Sequence, residues 1–331
     1  MTLLAANDMT IPDAIRRMTV TGQIAEIGEL LNQAPGMIQD IRWREGDQPG
    51  GHMVTQRTSM PTLVTVVPGA GIQSSKSTTA QTLETYEILA GFSVIDENVA
   101  NFGGDPAGKR ASEDVAFIEQ FNQTVADRWF YGNGETTSGQ MNGLTMRYAS
   151  TTGSTGENVI LGGSASGQTD NMSVWLCGHG PKSLYGIYPK GTPAGLQVHD
   201  WGKQVRTNDD ETEQVVWRTQ YQWSIGMALH DWTYTVRIPN IDKSLLVAGT
   251  GADLFDKIIM AINVCKDVNM VSPTLYMNRT TRMMLDIQAR NDVQAGGQLK
   301  YDVVGGKRIE FFQNIPITLC DRLTEAETRV A

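Results

Sequence analysis

An α+β fold is predicted by three features of this chain. Residues 112–131 carry one apolar stripe at helical spacing, residues 173–241 hold several strand-like runs, and from Ala252 onward helical and extended patterns alternate over short distances. With 331 residues, 40% hydrophobic and 19% charged, the chain is long enough for one large domain or two ordinary ones, each with its own core.

Taken in order, the first expected element is a short helix capped by Thr10, with Pro12 and Asp13 in its opening turn. A second runs from about Gln23 to Gln33, places Ile24, Ile27, Leu30 and Leu31 on one face, and is stopped by Pro35 and Gly36. Residues 1–35 thus form an N-terminal arm whose single apolar stripe must dock on something else.

The 39 residues from Arg44 to Thr82 contain no Phe, Trp or Tyr and are rich in Thr, Ser, Val and Gly. Turn signals at Glu45–Gly51 and Pro68–Gly71 outline an extended hairpin within a segment spanning 36–100. Val64, Val66 and Val67 put apolar groups on both faces, as expected for strands covered on both sides. Ordering backbone costs about 1–2 kcal/mol per residue, and a lone hairpin buries too little apolar surface to offset that. The arm is therefore either disordered or ordered by neighbouring copies of the chain.

Leu83 to Asn101 mixes strand and helix character. Ser112 is placed to cap the long helix, with Val115, Ile118, Phe121, Val125 and Trp129 along its stripe. Residues 132–168 are Gly, Ser, Thr and Asn rich, an irregular surface segment. SVWLCG, QVVWRTQYQWSIGMAL and WTYTVRIPNI then read as strands of a β-rich core. Beyond Ala252 come a helix over Leu254–Val264, a strand over Thr274–Met277, a helix over Thr280–Ala289, and strands near Tyr301–Val304 and Ile309–Leu319.

Composition argues against several functions. The formal charge of −9 leaves no basic field to hold nucleic acid or anionic membrane nonspecifically. No run of 18 apolar residues offers a bilayer span, and the N-terminus lacks the pattern of a signal peptide. Cys177, Cys265 and Cys320 lack CxxC spacing and are expected as buried free thiols. His52, His179, His199 and His230 form no HExxH or i, i+4 pair, so no metal site is expected. Tyr188–Gly195 lacks the lysine placement of a phosphate loop, and Gly162–Gly167 is not a nucleophile elbow. The acidic run Asp209, Asp210, Glu211 and Glu213 leaves a carbohydrate-cleaving carboxylate pair as a remote alternative, although consecutive charges usually form a solvated loop. Lys76 is the first lysine in the chain and the arm's one candidate for a covalent cross-link, with an ion pair the simpler role.

Six strings, in order, carry a family resemblance. They are GQIAEIGELLNQ (Gly22–Gln33), WREGDQPGGHMVTQRTSMP (Trp43–Pro61), SSKSTT (Ser74–Thr79), RASEDVAFIEQFNQTVADRWFYGN (Arg110–Asn133), YPKGTPAGLQVHDWG (Tyr188–Gly202) and RIPNID (Arg237–Asp242). Together they resemble the major capsid proteins of short-tailed bacteriophages with the Hong Kong 97-type shell fold.

That resemblance implies an N-terminal arm over 1–35, an extended loop and its base over 36–100, a peripheral domain with its spine helix over 101–250, and an axial domain over 251–331. It implies a structural, non-enzymatic protein without cofactors that self-assembles as pentamers and hexamers into an icosahedral virion shell around double-stranded DNA. Expected partners are a scaffolding protein, a portal, a possible decoration protein and packaged DNA held without sequence-specific contact, with no membrane. Assembly is expected in the bacterial host cytoplasm. A cellular encapsulating shell of the same fold is the alternative. Arg57 and Lys76 are the candidate intersubunit ion pairs and Trp43 and Met60 the candidate buried anchors, set against Arg57 being solvated and Trp43 packing within its own chain.

Two departures from the wider fold carry expectations. Only about a dozen residues follow Leu319, where chains of that fold usually return to finish the peripheral sheet, so that sheet is expected mainly from Val215–Ile241. No long charged helical segment precedes Thr10, hence the separate scaffolding protein.

Overall fold

The computed structural model describes residues 36–330 except 70, 103, 165–167, 208–210, 292–298 and 305–306; the helices expected within 1–35 lie outside these. In chain order the elements begin with α1 (Met37–Asp40), β1 (Trp43–Glu45), β2 (His52–Ser59), β3 (Thr78–Glu84), β4 (Tyr86–Asp96), α2 (Glu97–Asn101), α3 (Pro106–Tyr131) and α4 (Leu144–Arg147). There follow β5 (Asn171–His179), β6 (Leu184–Tyr188), β7 (Gln197–Thr207), β8 (Glu213–Leu229), β9 (Thr235–Asp242), α5 (Lys243–Val247) and α6 (Leu254–Val264). The chain closes with β10 (Ser272–Met277), α7 (Arg279–Asn291), β11 (Leu299–Val304), β12 (Lys307–Phe312) and β13 (Ile315–Leu319). Contacts divide it into two compact units, the first holding Ile88–Val125 and Pro193–Ser224, the second Pro35–Glu87, Ala126–Thr192 and Ile225–Ala331.

The long helix starts earlier than its apolar stripe. Pro106 occupies its first turn, where a missing N–H costs nothing, and the Asp105 carboxylate accepts from the Gly108 amide at 2.9 Å. Ser112, expected as the cap, instead lies inside the helix with its hydroxyl buried and without a hydrogen-bond partner. The stripe shifts too. Phe121, Val125 and Trp129 are buried as expected, but Val115 and Ile118 are exposed.

In the first unit the inward face of that helix is set by aromatic packing. Phe117 stacks on Tyr221 at 5.0 Å and 13°, Phe121 tilts against the same ring, and the Asp114 carboxylate accepts from the Tyr221 hydroxyl. Burial, then that carboxylate, pushes the Tyr221 pKa well above its ordinary value. β7 pairs antiparallel with β8 from Gln197↔Gln222 to Thr207↔Glu213, with an irregularity between Asp200 and Gly202. Arg110 closes this layer by pairing with Asp200 at 2.5 Å and lying over Trp217.

The second unit holds an extensive core. β5 and β9 are buried at every position, so both faces of each are covered. β5 lies between β9, paired from Asn171↔Asp242 to Cys177↔Thr235, and β10, paired from Trp175↔Tyr276 to His179↔Ser272. From β10 the order continues through β13 and β12 to β11. On the other side His179 bridges to β6, which carries β1 in parallel and the end of β8 antiparallel. Leu254, Phe255, Ile258 and Ala261 of α6 enter this core on one helical face, and Asp253 caps the helix through the Phe255 and Asp256 amides.

The two strands of Val215–Ile241, where that sheet was expected, lie in one sheet but are not neighbours, being joined through β6 and β5. β8 ends at Leu229, and β9 turns away to pair with β5. The residues after Leu319 do return, as a strap. Glu327 bridges Asn171 of β5, and Asn240 of β9, at φ 61°, uses both atoms of its side-chain amide on the Val330 backbone, at 2.7 and 2.8 Å. Arg237 and Glu327 pair at 2.8 Å with side chains only 2% and 4% exposed. Ser173 and Tyr131 both donate to the same carboxylate.

Candidate interaction surface

The arm of the second unit is anchored at its root and bare at its tip. β2 and β3 form their own antiparallel pair, in register from His52↔Glu84 to Arg57↔Thr79, with a shift before Ser59↔Thr78. At the root Val54 packs with Tyr185, Ile187, Ala228 and Tyr86. His52 is buried, with Nε2 at 2.8 Å from the Tyr185 hydroxyl and Nδ1 at 2.8 Å from the Asp47 carboxylate. Arg147 grips the buried Glu84 carboxylate with two hydrogen bonds of 2.6 Å, and the Gln56 amide donates to the Leu229 carbonyl at 3.0 Å.

Past Gln56 this support ends. The strands continue through exposed hydroxyl rungs, Thr58 to Thr78 at 2.8 Å and Ser59 to Thr78 at 2.7 Å. Residues 60–69 and 71–77 then lie outside the strands, with a turn at Pro68–Gly69, where Gly69 has φ 93°. Met60 is 74% exposed, Leu63 90% and Ile72 72%, and Val64 and Val67 stand out beside them. Covering each such side chain is worth about 1.5–3 kcal/mol. From Thr58 to Ser75 the sequence holds no Asp, Glu, Lys or Arg, so the apolar tip is bracketed by the cations Arg57 and Lys76.

Of the four residues singled out from sequence, the structure places three together on the arm. Arg57, Met60 and Lys76 are exposed, and neither cation pairs with a described residue. Trp43 is elsewhere, half-buried on β1 opposite Gly186 and edge-on to Trp129 at 6.4 Å. Leu63 and Ile72, not singled out from the sequence, are exposed on the same tip. The sequence reading missed the Glu84–Arg147 clamp, whose partners stand too far apart in the chain for any local pattern to reveal.

Elsewhere the three thiols and the imidazole of His179 are buried. Burial raises the Cys177 thiol far above its ordinary value and pushes Cys265 and Cys320 up to about 11. Burial, with Arg42 adding to it, lowers His179 to about 4. Among the described residues no group of three His, Cys, Asp or Glu side chains is arranged to hold a metal ion, and no helix is long and apolar enough to cross a membrane.

Comparison with known proteins places this geometry. A family model described as major capsid protein GP7 matches residues 19–331. The cryo-EM structure of bacteriophage Epsilon15 superposes with a TM-score of 0.80 at 26% identity, covering 100% of this chain and 99% of that one. The bacteriophage JBD30 capsid matches with a TM-score of 0.45 at 11% identity over 91% of this chain and 96% of that chain. The SrpI encapsulin of Synechococcus elongatus PCC 7942 gives 0.44 at 10% identity over 66% of this chain and 91% of its own. No curated protein matches the sequence.

Proposed function

Since the chain belongs to the major capsid protein GP7 family, we propose that its exposed arm is the element by which copies hold one another in a closed shell. The protein is a phage major capsid protein of the Hong Kong 97-like fold, and its place is the virion shell. Its copies assemble with one another. In our reading they do so as pentamers and hexamers of an icosahedral head around double-stranded DNA, built in the host cytoplasm with a separate scaffolding protein and a portal, and with a decoration protein as a possible addition. The role is structural and not catalytic.

The apolar tip carries this reading. A side chain such as Leu63, 90% exposed on a segment with no partner strand, is a poor feature for a lone molecule. It suits a surface that a neighbouring copy covers. Met60 with the tip valines then supplies buried contact, Arg57 and Lys76 pair with carboxylates of the adjacent copy, and Trp43 packs against Trp129 of its own chain. The long loop and its base, the peripheral domain with its spine helix and the axial domain over 251–331 take the roles their family positions imply. Rigid bodies joined by such arms suit surroundings that are only nearly equivalent.

The test replaces 58–77 by a short Gly-Ser link, which leaves the clamped root intact. We expect a folded chain with an unchanged core spectrum that no longer closes shells. Normal particles from this deletion contradict the proposed role of the arm.

A further inference from the structure

The first unit carries an open groove of about 360 Å³ between β4, β7 and β8, lined by Phe92, Val94, Val205, Val216 and Arg218 among others. Arg218 is half-buried, its guanidinium carbon lies over the Phe92 ring at 3.9 Å from the centroid, and its Nε is sealed from solvent without a hydrogen-bond partner among the described residues. This sets it apart. The other shielded arginines, Arg110, Arg128, Arg147, Arg237, Arg282 and Arg322, each reach a carboxylate of their own chain. Arg206 at the groove's rim has a partner of its own as well. Among the described residues no carboxylate pairs with Arg218.

A guanidinium drawn partly out of water without a counter-charge is costly, and an aromatic face compensates only in part. A carboxylate entering from outside supplies the missing charge and accepts hydrogen bonds from the terminal guanidinium nitrogens, Nε staying sealed behind them, while the apolar walls cover whatever flanks it. We propose that this groove receives an acidic side chain, with an apolar neighbour beside it, presented by a second copy of the chain. The inference rests on the shell reading above. In a shell every copy is surrounded by others, and each carries 36 Asp and Glu against 27 Lys and Arg, so carboxylates are the charged groups a neighbour has in excess. The arm tip is the wrong occupant. It holds no acid from Thr58 to Ser75 and is flanked by two cations, so the groove is a second contact, distinct from the one the arm makes.

The experiment uses full-length chains, half of them labelled with ¹⁵N, assembled into shells with a photo-crosslinking residue in place of Val205. Peptides linking a labelled to an unlabelled copy are mapped by mass spectrometry. The proposal expects one mixed-isotope link, to a peptide bearing Asp or Glu, and its loss in Arg218→Glu. It also expects the critical concentration for assembly to rise about tenfold in Arg218→Glu, with Arg218→Lys between, while the melting temperature of the unassembled chain holds. Should Arg218→Glu fail to fold, Arg218→Gln gives the same reading with no charge reversal. Intact shells lacking a mixed link, or linked to a peptide without an acid, overturn the groove's assignment and leave the shell reading standing. Capture of a different protein from the groove position overturns the second-copy occupant. A wild-type chain that forms no shells under any condition overturns both.

Discussion

Replacing Glu327 by Ala strands a positive charge in the core of the second unit. Arg237 keeps the Tyr148 carbonyl at 2.8 Å, the Ser173 hydroxyl at 3.3 Å and the Trp175 ring, but loses the carboxylate that neutralises it. Tyr131 and Ser173 lose their acceptor at the same time. Removing one member of a buried ion pair costs about 3–5 kcal/mol, much of it the desolvation of the charge left behind. With an unfolding entropy of roughly 0.7 kcal/mol per K for 331 residues, about 4 kcal/mol lowers the melting temperature by about 6 °C. Scanning calorimetry of the unassembled chain reads this directly. The double variant Glu327→Leu with Arg237→Met, which removes both charges, is expected to recover most of the loss. A drop under about 1 °C in the single variant, or a double variant no better than it, refutes the view that this pair ties the terminal strap to β5 and β9.

Two further outcomes follow from the same structure. His179 titrates near 6.5 when unfolded and is lowered to about 4 in the fold, so the unfolded chain binds more protons between these values and stability falls as pH drops through that window. Urea unfolding should lose about 2–3 kcal/mol from this group between pH 7.5 and 4.5, a loss absent in His179→Gln. Burial raises the Asp40 carboxyl, which works in the opposite sense at the acid end, and an unchanged slope in the variant counts against the buried neutral imidazole. At Gly186 an added Cβ would meet Trp43 Cε3 at 2.6 Å and Ile41 Cγ2 at 2.9 Å, so Gly186→Ala should cost about 1–3 kcal/mol, measured by the same denaturation. A neutral result means that β1 and its tryptophan are not held against β6 as described.

What the sequence revealed depended on whether the decisive contacts were local. The bounds of Leu254–Val264 were read correctly, because the pattern that sets them lies within one segment. The start of α3 was misread because Ala107 to Ala111 carry no apolar period, although Asp105-Pro106 was itself a start signal. Val115 and Ile118 fit the period yet face solvent, since Tyr221, more than a hundred positions along the chain, selects the Asp114–Phe117 face instead. β7 went unassigned. Its Gln, His, Asp, Lys and Arg alternate with only a few apolar residues, and it is ordered by its ladder to β8. The arm was legible in outline for the opposite reason, in that it has almost no contacts to hide. Its clamp at Glu84 and Arg147 and the unmatched Arg218 become visible only when distant segments are brought together.

Residues 60–69 and 71–76 are exposed in a single copy, and the proposed shell requires that a neighbour cover them. Hydrogen exchange followed by mass spectrometry, run on the free chain and on assembled particles, reads that segment directly. The account predicts exchange in the free chain close to that of an unfolded peptide, and protection rising by a factor of about 100 or more on assembly. Equal protection in both states, or a segment that stays unprotected inside closed shells, contradicts it.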